Sequence, residues 1–191
     1  MKKSIGAATL VWPTPVYLVG TYDKNGRANM MNAAWGGICS SEPPCISVSV
    51  RHSRHTYEGI VEHRAFTVCI PSAEQVVEAD FVGIASGAKL DKFKQAGFTA
   101  VKGEYVNAPY IDECPLVIEL ALIQSIELGS HVQFIGEIKD VKASERCLNP
   151  EGKPDLELAD PILFDPALRN YHSIGPVVAK AFNVGKELLK K

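Results

Sequence analysis

The sequence contains no apolar run of about 18 residues, the length a membrane-crossing helix needs, so no such span is expected. Met1-Lys2-Lys3 leads into a short mixed segment broken by Pro13 and Pro15, which does not read as a signal peptide. The expected location is therefore cytoplasmic. A strong charge bias is missing too: 20 Lys and Arg stand against 22 Asp and Glu, a formal net charge of -2, so no field favours nucleic acid. The five cysteines, Cys39, Cys45, Cys69, Cys114 and Cys147, are scattered and include no C-x-x-C pair, which indicates neither a zinc site nor a dithiol motif. Reduced thiols are expected. Cys39 has two readings, a small packing residue or a redox group. His52, His63 and His172 show no metal-ligand spacing with nearby carboxylates, so no metal is expected. There is no internal repeat, no G-x-G-x-x-G fingerprint and no Walker loop.

The 191 residues with 46% hydrophobic content are enough for one sizeable core, and a single domain over residues 1–191 is expected. Pro15 to Tyr22 reads as a strand, Asp23-Lys24-Asn25-Gly26 as a turn, and Ala28 to Ile38 as the next strand. Pro43-Pro44 interrupts the ladder before a strand ending at Arg51, a helix over about 54–63 and a strand Ala65 to Ile70. The spacing of Val76, Val77, Phe81, Ile84, Leu90 and Phe93 predicts one or two helices between Ser72 and Gly97. Pro115 to Leu128 and His131 to Ala143 form a long antiparallel hairpin joined at Gly129-Ser130, typical of a barrel. Cys147 to Asp160 reads as an exposed loop, and Pro176 to Lys191 has helical spacing with a Lys-rich last turn. Long strands without regular βα alternation argue against a doubly wound parallel sheet.

The segment Arg27 to Thr56 carries the functional signal. Asn29, Asn32, Ala33 and Ala34 are small or amide residues whose backbone groups can reach the edge of a heterocycle, and Trp35 can lie beside a ring. In Cys45 to Arg51 the side chains alternate, so Ile46, Val48 and Val50 face one way and Ser47, Ser49 and Arg51 the other. Ser53 is the expected N-cap of the following helix, whose N-terminus offers unpaired N–H groups to an anion. Arg51, Ser53, Arg54, His55 and Thr56 would surround a phosphate; the alternative is that the two arginines are solvated surface cations.

NMMNAAWGG at 29–37, SSEPPCISVSV at 40–50, the S-x-x-T of Ser53 and Thr56, SGAKLDKF at 86–93, GSHVQFIGEI at 129–138 and YHSIG at 171–175 occur in this order. Together they resemble the flavin reductase-like family of FMN-binding split-barrel proteins, in particular its flavoredoxin-type members. The resemblance implies a mainly β fold, a six-stranded antiparallel split barrel with peripheral helices, a homodimer, and noncovalent FMN. It implies that Asn29, Met30, Asn32, Ala33, Ala34 and Trp35 line the isoalloxazine and that Ser40 and Ser41 lie along the ribityl chain. Arg51, Ser53, His55 and Thr56 match the family's phosphate region. Lys92 would approach the flavin, with a plain surface lysine as the other reading, and Tyr171 would flank the ring. His131 matches a Gly-Asp-His near the nicotinamide, though Ser130 replaces the aspartate here, and a solvated hairpin-tip histidine is the alternative. No residue is firmly assigned to catalysis.

Three functions follow. The first is an FMN-dependent oxidoreductase passing electrons from NAD(P)H through bound FMN to an acceptor. The second is a non-enzymatic electron carrier with a redox protein as donor. The third is a cofactor-free structural or sensing barrel.

Overall fold

The computed structural model describes residues 1–190. Its strands and helices are β1 (Thr14–Pro15), β2 (Tyr17–Tyr22), β3 (Ala28–Ala33), β4 (Gly36–Ser41), β5 (Pro44–Val50), α1 (His55–His63), β6 (Ala65–Ile70), α2 (Val76–Ile84) and α3 (Lys92–Ala96). They continue through β7 (Ala100–Lys102), β8 (Pro109–Ile111), β9 (Leu116–Leu128), β10 (His131–Ala143), α4 (Leu156–Ala159), β11 (Ile162–Asp165) and β12 (Asn170–Ser173). The expected mainly β class holds, and the long hairpin is β9–β10.

The principal sheet has seven antiparallel strands in the order β3-β2-β6-β9-β10-β5-β4. One strand more than expected arises because Ala28 to Ile38 is two strands, broken at Ala34-Trp35. β3 and β4 occupy opposite edges of the sheet, which would lie about 29 Å apart if it were flat, at roughly 4.8 Å per strand. Only Ala34 and Trp35 join them, and the three Cα steps from Ala33 to Gly36 reach at most about 11 Å. The sheet must therefore curl until its edges approach. Ser49 N–H donates to the Trp35 carbonyl at 2.8 Å, extending the β4–β5 ladder into that joint.

Alternation along the strands supplies two cores. Val19, Met31, Ile46, Val48, Val50, Phe66, Val68, Leu120 and Phe134 pack inside the barrel, with Ile60 of α1. Gly136 is required there, because a Cβ would come within 2.8 Å of the Phe66 ring. The opposite faces of the same strands present Leu18, Met30, Cys69 and Val117 to Ala79 and Val82 of α2 and Phe93 of α3. Burial of both faces fixes register, since a one-residue slip would exchange the two sets.

Three further expectations change. Cys147 to Asp160 is not simply an exposed loop: a 3-10 turn and α4 lie in or beside it, and the Cys147 side chain is buried. Asp155 explains the short helix, because its carboxylate accepts the backbone N–H groups of Glu157 and Leu158. At the C-terminus, Val184–Lys190 is a 3-10 segment without buried residues among those described, and Lys191 lies outside the described residues. Of the five free thiols, four are buried and Cys39 on β4 is exposed, so packing does not account for Cys39.

Candidate functional site

Two cavities flank β3 and the joint that follows it. The smaller, of about 70 Å³, is lined by Met31, the turn residues Ser53 to Thr56, the end of α2 and its following loop through Gly87, and Lys92. That is roughly the volume of two waters. The larger, of about 630 Å³, lies beside Ala34, Trp35, Ser49, Arg51, Ser130 and His131, with Ala8 to Pro15 along one side.

The small cavity is cationic and short of partners. Ser53 is not the N-cap of α1: Arg54 holds that position in an extended conformation, with no side-chain cap. The Arg54 N–H instead closes a turn onto the Arg51 carbonyl at 3.0 Å, which leaves the Ser53 hydroxyl on the cavity wall. Thr56 is buried and accepts a hydrogen bond from Asn29 Nδ2 at 2.9 Å. The other amide atom, Asn29 Oδ1, is buried without a hydrogen-bond partner, and His55 Nε2 is buried with only the Asp23 carboxylate near it, at 3.5 Å.

Lys92 is not a surface lysine. It is 5% exposed, and its ammonium donates to the carbonyls of Val82 at 2.7 Å and Met30 at 2.9 Å. An ammonium has three donors, so one remains uncommitted at the cavity. Burial, reinforced by the nearby Arg54 charge, pushes the Lys92 pKa down to about 8. The ion pairs among the described residues involve Arg27, His52, His55, Lys139, Lys142 and Lys153, and none engages Lys92 or Arg54.

A second layer, not foreseen from the sequence, supports the cavity. Asp23 is buried, and its carboxylate accepts the backbone N–H groups of Asn25 at 2.9 Å and Arg27 at 3.0 Å. It also lies 3.3 Å from Arg27 Nε and 3.5 Å from His55 Nε2. Burial alone would raise the Asp23 carboxyl, but these donors together hold it below the usual carboxylate range. Arg27 in turn donates through Nη2 to the Gly87 carbonyl at 2.6 Å. The only sequence signal for Asp23 was a turn aspartate.

The large cavity collects a different set. Arg51, expected with the phosphate group, lies here with His131 and Trp35 rather than in the small cavity. Ser130 Oγ is 2.8 Å from His131 Nδ1, so the residue replacing the family's aspartate still contacts the imidazole. Burial, followed by the Arg51 charge, lowers the His131 pKa from its ordinary value.

Asn32 and Tyr171 meet on the helical side of β3. Asn32 Nδ2 donates to the Ala79 carbonyl at 2.9 Å and the Tyr171 hydroxyl donates to Asp80 at 3.0 Å. Burial and the Asp80 carboxylate push the Tyr171 pKa up to about 12. Met30 and Ala33 are buried through their side chains and offer the site only backbone. Ser40 and Ser41 are not brought to the other residues within one chain. They pair with Cys45 and Pro44 at the start of β5, and the six residue steps from Cys45 to Arg51 span about 20 Å.

The arrangement is thus a compact cationic socket at one end of β3 and a broad, aromatic-walled cavity at the other. The profile of the "Flavin reductase like domain" matches residues 10–169, and the chain belongs to that family. Its fold is the split barrel of that family's flavin proteins. Among solved structures it is similar to the flavoredoxin of Desulfovibrio vulgaris (Miyazaki F), at 54% identity over 97% of this chain and 100% of that one, with a TM-score of 0.93. It is also similar to the flavoredoxin of Methanosarcina acetivorans, at 33% identity over 98% and 99% of the two chains, with a TM-score of 0.91. An FMN reductase (NADH) of Pseudomonas syringae is 25% identical over 66% of this chain and 68% of its own.

Proposed function

We propose that the protein is an FMN-dependent oxidoreductase that passes electrons from NAD(P)H through bound FMN to an acceptor. The observation that carries this reading is Lys92: a buried ammonium, anchored by two carbonyls and paired with no carboxylate among the described residues, faces a cavity also lined by Arg54 and by the hydroxyl residues Ser53 and Thr56. A phosphate supplies the missing negative charge and acceptor oxygens. Lys92, Arg54, Ser53, His55 and Thr56 would hold it, with Asn29 orienting the Thr56 hydroxyl.

Flavin, when bound, supplies acceptance of a hydride and onward transfer of electrons. The chain's own work is binding and polarisation. Backbone groups of Asn32 to Trp35 would border the ring, where their N–H dipoles would favour added negative charge. Trp35 and Arg51 offer an aromatic face and a cation to a second ligand in the large cavity. His131, steadied by Ser130, contributes an imidazole whose lowered pKa favours the neutral form. A homodimer would cover exposed Val11, Trp12, Ile38 and Leu128 near that cavity and edge.

The second reading is an electron carrier with a redox protein as donor, favoured by the likeness to two flavoredoxins. Mixing the FMN-loaded protein with NADH or NADPH without oxygen separates the two. Bleaching supports the oxidoreductase, and an unchanged spectrum supports the carrier. A colourless preparation that takes up no added FMN defeats both.

A further inference from the structure

We propose that Arg27, held by Asp23 and clamping the Gly87 carbonyl, closes the small cavity so that it admits the terminal phosphate of FMN and rejects FAD, whose phosphate continues as a diester. This rests on the reading that the small cavity takes the flavin phosphate.

Three observations meet at Gly87. The Arg27 guanidinium donates to its carbonyl at 2.6 Å, from a side chain whose Nε is tied to Asp23 at 3.3 Å. Gly87 lines the cavity with Ser86, opposite the turn carrying Ser53 to Thr56. It also sits so close to the site that an added Cβ would overlap Asn29 Oδ1 and come within 3.0 Å of the His55 ring. The loop after α2 is therefore pressed onto the phosphate-side residues and fastened from outside. The same Asp23 carboxylate lies 3.5 Å from His55, so one buried anion anchors both the clamp and a wall of the socket.

The enclosed space of about 70 Å³ suits a compact headgroup. A diphosphate leading to a ribose and adenine needs an exit between the 85–87 segment and the turn at 53–56. Opening that exit requires loss of the Arg27–Gly87 bond. Arg27 is accordingly a positioning residue: it lies outside the cavity lining and acts through the Gly87 backbone.

The test compares dissociation constants for FMN, FAD and riboflavin, by flavin fluorescence, in the wild-type chain and in R27A and G87A. The Arg27 side chain is 43% exposed, so R27A leaves both cores intact; G87A opens the loop from the inside by steric overlap. The wild type should prefer FMN over FAD by about tenfold or more. R27A should narrow that preference severalfold while riboflavin affinity stays the same; G87A, whose Cβ would displace Asn29 and His55, should also weaken FMN directly. A merely structural role would weaken all three flavins together and overturn the proposal, as would an unchanged FMN-to-FAD ratio in folded R27A. A wild type that binds FMN no better than riboflavin removes the phosphate reading itself. One that prefers FMN to riboflavin but binds FAD equally well removes only the clamp.

Discussion

The Lys92 ammonium donates to the Met30 carbonyl at 2.9 Å, tying the first residue of α3 to an edge strand of the barrel. The bond satisfies a β3 carbonyl on the sheet's open side and holds a cation in the small cavity. Structural support and ligand charge thus come from one side chain.

Replacing Lys92 by Met keeps the aliphatic stem and removes the charge. FMN affinity should fall by about 1.5–3 kcal/mol, the scale of a charge-assisted contact. Riboflavin affinity should change little. Fluorescence titration of both flavins checks this, and equal losses for both would remove Lys92 from the phosphate.

Affinity should also depend on pH. With the Lys92 pKa near 8 in the free protein, the ammonium is already charged below that value, and above it binding a phosphate anion requires proton uptake. The FMN dissociation constant should be flat below about pH 8 and rise above it, by up to tenfold per pH unit. K92M should lose the rise. Titration from pH 6.5 to 9.5 reads it directly.

Arg51 belongs to the large cavity, so R51A should weaken FMN less than K92M does. Its clearer effect falls on His131. Removing a neighbouring positive charge favours the imidazolium, and the His131 pKa should move up towards its ordinary value without reaching it, because burial is the larger cause of the depression. An NMR titration of the imidazole protons follows the shift, and an unmoved pKa would contradict the coupling.

Glu119 tests the fold rather than the site. It is fully buried and accepts backbone N–H groups of Glu104 at 3.2 Å, Tyr105 at 2.8 Å and Val106 at 3.2 Å, while Lys142 pairs with it at 2.7 Å. Burial raises the Glu119 carboxyl, yet Lys142 and the backbone donors outweigh it and leave the pKa below the ordinary value. Its stabilisation is therefore complete above the unfolded-chain value near pH 4.3 and is lost as pH falls through the lower folded value. E119Q should cost about 3 kcal/mol at pH 7 by urea denaturation, with a smaller difference in strong acid.

Much of the barrel was legible because strand alternation has period two: Ile46, Val48 and Val50 face inward as read, and β6 and the β9–β10 hairpin fall close to their expected limits. The closure was not legible. That β3 and β4 sit at opposite edges is a matter of pairing order, which no local window contains. At the site, Ser53, His55 and Thr56 are neighbours in sequence and stay together. Arg51 leaves them because the turn closed by the Arg54 N–H redirects the chain after β5. Lys92 had two readings that only its burial separates. Asp23 and Arg27 were hidden in a turn, since what distinguishes them is contact with His55 and with Gly87, 60 residues further along from Arg27.

The most direct test of the central claim is the visible spectrum of the FMN-loaded protein mixed with NADPH, and separately NADH, in the absence of oxygen. The oxidoreductase account predicts that at least one nicotinamide bleaches the bound flavin and that added acceptor restores the colour. A flavin that stays oxidised with both, yet is reduced by a redox protein, contradicts it.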